Sequence, residues 1–183
     1  TRITDYVIDE VFADLGDFLA CHPHLYVAIN LSASDFHSAR LIALINEKIQ
    51  HYAVKAEQIK IEVTERGFID VAKTTPVIQA FREAGYEIAI DDFGTGYANY
   101  ERLKRLEADV IKIDGCFIKD ICTDSMDAMI VKSICNLAKT KSLSVVAEYV
   151  ETQEQRQMLL AFGVDYLQGY LIGKPRPIEE LQA

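Results

Sequence analysis

Six short runs rich in apolar and β-branched residues recur along the chain. They are LYVAINLS (25–32), IKIEVTE (59–65), EIAIDDF (87–93), DVIKID (109–114), LSVVAEYVE (143–151) and DYLQGYLIG (165–173), and each predicts a strand. The segments between them, ARLIALINEKIQHY, TTPVIQAFREAG, ANYERLKRLEA, SMDAMIVKSICNLAKTK and TQEQRQMLLAFG, carry helical periodicity, and several close on Gly. Residues 1–20 predict one more helix ahead of the first strand. Strict alternation of this kind calls for a parallel sheet with crossover helices, either an open doubly wound sheet or a (β/α)8 barrel.

The polar residues choose between the two. Asn30, Glu62, Asp91 with Asp92, Lys112 with Asp114, Glu148 and Gln168 fall at or near the C-terminal ends of six different strands. An open sheet gathers its site from a few loops at one switch point, whereas a barrel brings every strand end to one rim. The fold expected is therefore α/β, a TIM-like barrel. Such barrels run to about 250 residues, so 183 residues and about six βα units are expected to be a single barrel domain, 1–183, lacking its early strands. The start of the chain inside a helical pattern agrees with that expectation.

Composition narrows the partners. A formal net charge of −9 disfavours a nucleic-acid polymer, because replacing the counterions around phosphate takes a basic patch. It leaves room for a small anion held through metal ions. Cys21, Cys116, Cys122 and Cys135 show no C-x-x-C spacing and are expected to be reduced thiols. The sequence has no apolar run near the roughly 18 residues that span a bilayer and no signal-peptide pattern, so a cytoplasmic domain is expected, whatever anchor a parent protein carries.

Counting carboxylates at or just beyond the strand ends gives Glu62, Glu65, Asp91, Asp92, Asp114, Glu148 and Glu151. So many like charges in one mouth repel unless divalent cations lie among them. Hard oxygen donors suit Mg²⁺ or Mn²⁺ better than Zn²⁺, and no His or Cys falls on the rim. A pair of such ions sharing a carboxylate is the usual device for in-line phosphodiester hydrolysis, and one of the adjacent aspartates suits the bridging place. Lys112, the one cation of the group, suits holding an attacking water or offsetting charge on phosphoryl oxygens. Taken singly, each of these acids is more often a solvated loop residue or a helix N-cap; the weight lies in seven at corresponding positions. Lys60 shares strand parity with Glu62, which points it into the barrel two residues lower, towards a wet bottom rim. His22 and His24, flanking Pro23, read as loop residues, and Gly94 with Gly96 signals a tight turn.

The series AINLS, EVTE, DDFGTGY, KID, AEYVET and QGYLIGKP resembles the EAL domain, a bacterial phosphodiesterase domain that opens cyclic di-GMP to linear 5′-pGpG. The resemblance runs in the family's order from about residue 25 to 177. It implies a barrel with one strand antiparallel to the rest and two Mg²⁺ or Mn²⁺ ions. Asn30, Glu62 and Asp91 would bind the first ion, with Asp91 bridging to the second, which Asp92 and Glu148 would help hold. Lys112 would position the nucleophilic water or a phosphate oxygen with support from Asp114. Gln168 would meet the water on the metal or the phosphate. By the same resemblance Glu65 braces the loop DFGTGYANY, which communicates with a homodimer interface, and Glu151 and Pro175 lie at the guanine-side contacts and barrel closure. Two departures stand out. The family's Glu-x-Leu-x-Arg segment, which supplies a further metal ligand, is absent, and Tyr149 replaces a usual Gly. The alternative implied is an EAL module that has lost catalysis and serves as a cyclic di-GMP receptor or protein-interaction surface.

Overall fold

The computed structural model describes residues 2–32, 35, 39–65, 71–95 and 108–180. Its elements run α1 (Arg2–Cys21), β1 (Val27–Asn30), α2 (Ala39–Tyr52), β2 (Ile59–Thr64), α3 (Val71–Glu83), β3 (Glu87–Phe93), β4 (Val110–Ile113), α4 (Gly115–Ile118), α5 (Ser125–Thr140), β5 (Ser144–Ala147), α6 (Gln153–Phe162) and β6 (Tyr166–Leu167). The strands form one sheet in the order β1-β2-β3-β4-β5-β6, and all five pairings are parallel. This is an open run of a (β/α) barrel, each strand lying beside its sequence neighbour. The helix expected over 98–108 lies outside the described residues apart from Ala108, as does Gly96.

Period-two alternation divides the sheet into two chemistries. Ile29, Ile59, Ile61, Val63, Ile88, Ile90, Ile111, Ile113 and Val145 are buried on the outer face. They share one cluster with Phe12 of α1, Ile45 of α2, Phe81 of α3, Val131 of α5 and Leu159 of α6. The register places Lys60, Glu62, Ala89, Val110, Lys112 and Val146 together on the inner face. Ala89, Val110 and Val146 make a small apolar layer of their own there. Lys60 lies on the lower side of it, paired with Glu87 at 2.8 Å and with its ammonium 3.9 Å from the centre of the Tyr26 ring. The parity expectation for Lys60 therefore holds.

Polar side chains tie the frame where main chain would otherwise go unpaired. Asp109 and Asp165 each stand just before a strand, and each accepts from the amide of the second residue of the preceding one, Ile88 N at 2.9 Å and Val145 N at 2.8 Å. Gln58, 2% exposed, donates to the carbonyls of Leu19, His22 and Leu25, which fixes the turn between α1 and β1. Such buried carbonyls need a donor once water is excluded.

Two elements differ from the sequence expectation. β6 covers only Tyr166–Leu167 of the expected 165–173. At Gly169 (φ 152°) the chain turns back, and the amides of Ile172 and Gly173 both donate to its carbonyl. α3 begins at Val71, a turn ahead of the Thr74 expected, and so holds Pro76 inside the helix. The one-turn α4 is too short to show a period.

Candidate active site

The centre of the inner face is Lys112, contributed by β4 and 5% exposed. Its Nζ lies 3.0 Å from Glu62 Oε2 on β2, 2.9 Å from Asp91 Oδ1 on β3 and 2.9 Å from Glu148 Oε1 just beyond β5. Three strands thus deliver three carboxylates to one ammonium. Burial alone would push the Lys112 pKa down, but contacts with Glu148, Asp91 and Glu62 outweigh it and hold the ammonium above the usual lysine range. Lys112 is a fixed positive charge at neutral pH.

The adjacent aspartates reach the same mouth because β3 carries a bulge. Its register with β4 advances three residues from Ile90 to Phe93 while β4 advances two from Ile111 to Ile113. Asp92 absorbs the extra residue with a left-handed φ of 53°. Regular alternation would send Asp91 and Asp92 to opposite faces. Instead, ligand oxygens of Asp91, Asp92 and Glu148 all lie within 4.8 Å of one another. Burial, then the charges of Asp91 and Asp114, push Asp92 up, and burial pushes Glu148 up against the opposing pull of Lys112.

The residues present fit a divalent cation. Their donors are hard oxygens, and Asp91 Oδ1, though ion-paired with Lys112, is buried with no aligned hydrogen-bond donor. One ammonium against Glu62, Asp91, Asp92 and Glu148 leaves negative charge to be offset.

The other expected residues surround this cluster at different depths. Asn30 ends β1 beside Glu62 in the register and is exposed. Glu65 Oε2 accepts from Gly94 N at 3.0 Å, which anchors the first turn of the DFGTGYANY loop. Asp114 caps α4 by accepting from Cys116 N at 2.7 Å, and this bond helps hold its pKa down against burial. The capping reading is thus correct for Asp114, which nonetheless stands beside Asp92. A cleft of about 1160 Å³ opens next to the cluster, with Asp92, Asp114, Glu148, Glu151, Gln168 and Pro175 in its wall. Its aromatic and basic residues, Tyr149, Tyr170, Lys119 and Arg176 among them, carried no positional signal beyond Tyr149's place beside Glu148.

The sequence profile of the EAL domain matches residues 1–175. The chain belongs to the EAL domain family. Among its curated relatives, the cyclic di-GMP phosphodiesterase PdeF of Escherichia coli K12 is 45% identical over 179 residues, which are 97% of this chain and 24% of PdeF. The chain therefore spans about a quarter of the length of the curated relatives it matches. Among solved EAL structures, the PaMucR phosphodiesterase in complex with c-di-GMP superposes with a TM-score of 0.90 at 37% identity, covering 98% of this chain and 74% of that one. Klebsiella pneumoniae BlrP1, solved with manganese and cy-diGMP, gives 0.85 at 32% identity, covering 93% and 43%.

Proposed function

We propose that this EAL domain is a metal-dependent phosphodiesterase that hydrolyses cyclic di-GMP to linear 5′-pGpG. The observation that carries the reading is the cluster itself: Lys112 amid Glu62, Asp91 and Glu148, with ligand oxygens of Asp91, Asp92 and Glu148 converging at the edge of a large cleft. The cleft volume exceeds the roughly 300–1,000 Å³ of ordinary ligand sites, which suits a cyclic dinucleotide. The net charge of −9 speaks against a nucleic-acid polymer in its place.

In this reading Asn30, Glu62 and Asp91 hold one Mg²⁺ or Mn²⁺, and Asp91, Asp92 and Glu148 a second. The ions supply Lewis acidity towards the phosphoryl oxygens and make water nucleophilic at neutral pH. Lys112, kept protonated by its neighbours, orients the attacking water by donating to it or offsets charge gathering on the phosphate; it does not serve as the base. Asp114, pinned at Cys116 N, stiffens the mouth beside Asp92. Gln168 and Glu151 hold the substrate's flanks, Pro175 shapes the far wall, and Glu65 secures the end of β3 at Gly94.

The test is incubation of the full-length protein with cyclic di-GMP and Mn²⁺, with products resolved by chromatography and Glu62→Ala run beside it. Linear pGpG from the unaltered protein alone is the expected result. Absence of cleavage with retained binding of cyclic di-GMP would mean a receptor and overturn the enzymatic reading.

A further inference from the structure

Tyr149 sits between Glu148 and Val150 with a φ of 61°, a conformation that a bulky residue adopts only when its surroundings force it. The forcing is visible on both sides. Glu148 N donates to Ile113 O at 3.2 Å, Val150 N to Gln168 O at 3.0 Å, and Leu171 N to Val150 O at 3.0 Å. The base of the side chain is clamped as well: a Cβ added at Gly115 would lie 2.7 Å from Tyr149 Cβ and 2.8 Å from Cγ. Only glycine at 115 leaves room for this tyrosine. Yet the side chain so firmly seated is 62% exposed, and it lines the cleft beside the carboxylate cluster. Packing therefore accounts for the base of the side chain and leaves most of the residue open to the cleft.

A rigid aromatic face turned into a cleft is what an unpaired base stacks on, and such stacking tolerates any base because each has a π-face. Tyr170, another ring in the same wall, already has the Lys174 ammonium 5.1 Å from its centre. Glu148 adjoins Tyr149 in the chain and both line one cleft, so a phosphodiester held at the cluster places its nucleoside in the cleft that the ring lines. We propose that Tyr149 is a substrate-binding residue whose ring stacks on one purine of the cyclic dinucleotide. This rests on the phosphodiesterase reading above.

Tyr149→Leu removes the π-face while keeping bulk and the same backbone strain; Tyr149→Phe keeps the ring. In the full-length protein with Mn²⁺, KM and kcat are measured for cyclic di-GMP and for bis(4-nitrophenyl) phosphate, a diester without a purine. Affinity for 5′-pGpG is measured by calorimetry. With stacking, Tyr149→Leu weakens pGpG binding and raises KM for cyclic di-GMP by about tenfold, a far larger effect than on the small diester, and Tyr149→Phe recovers most of it. Wild-type KM and pGpG affinity in Tyr149→Leu would overturn the proposal. So would an equal loss of kcat on both diesters, which would mean that the residue acts only through the backbone of Glu148. If the unaltered protein cleaves the small diester but neither cleaves nor binds the guanine compounds, the substrate reading itself falls and takes this proposal with it.

Discussion

At the scale of single residues, Lys112 is held by opposite charges and also holds them apart. Replacing it by Met leaves Glu62, Asp91 and Glu148 facing one another with no cation between them, and removing one partner of a buried ionic cluster costs about 3–5 kcal/mol. Urea unfolding in EDTA should show a loss of that order for Lys112→Met, and Mn²⁺ should restore much of it. The sign of the pH effect follows from the raised pKa. The stabilisation is complete below the ordinary lysine range and fades only as pH climbs through the higher folded value, so it is constant across neutral pH. Lys112 was legible in the sequence because it falls at the C-terminal end of a strand, as Glu62 and Asp91 do. Tyr149 was legible only as an unusual neighbour of Glu148, since neither its left-handed φ nor its contact with Gly115 is written in local sequence. Gln58 was missed for a related reason, its three acceptors lying 33 to 39 residues away.

At the scale of elements, the two places where the chain departs from regular strand geometry both serve the mouth. The β3 bulge turns Asp92 to the side of Asp91, and the tight turn at Gly169 lets the chain leave β6 directly after Gln168. Gly169 is pressed on the main chain of Val150, so that an added Cβ would lie 2.3 Å from both its nitrogen and its oxygen. Gly169→Ala should therefore destabilise the domain by at least about 1–3 kcal/mol, the cost of overpacking, since backbone cannot move aside as a side chain does. A wild-type midpoint in chemical denaturation would refute the close approach. Five of the six strands and their order followed from apolar runs and alternation. The length of β6 did not, because YLIG has strand composition and only the φ of Gly169 breaks the ladder. The bulge was equally hidden, as DDF alternates no differently from a regular strand.

For the whole molecule, the inner face carries more negative than positive charge, and the balance depends on pH. Asp92 and Glu148 have pKa values raised by burial and by neighbouring carboxylates, so the folded state holds their protons more tightly than the unfolded one. Their contribution to stability in the absence of metal therefore falls as pH rises above the ordinary carboxylate range. Cation binding reverses the trend, because it needs the ionised form. The rise in melting temperature on adding Mn²⁺ should accordingly widen as pH climbs above the ordinary carboxylate range, as bound cations replace protons. A rise of constant size in scanning calorimetry would argue against Asp92 and Glu148 as ligands. The strictly sequential strand order has a different kind of consequence. β3 and β4 are flanked on both sides, whereas β6 has two residues and, among the described residues, only β5 as a neighbour. Amide protection should decline outward from β3 and β4, with Leu167 and Gln168 exchanging through local opening well before the centre. The wall nearest the cleft then opens more readily than the centre of the sheet, and a molecule bound there would slow its exchange.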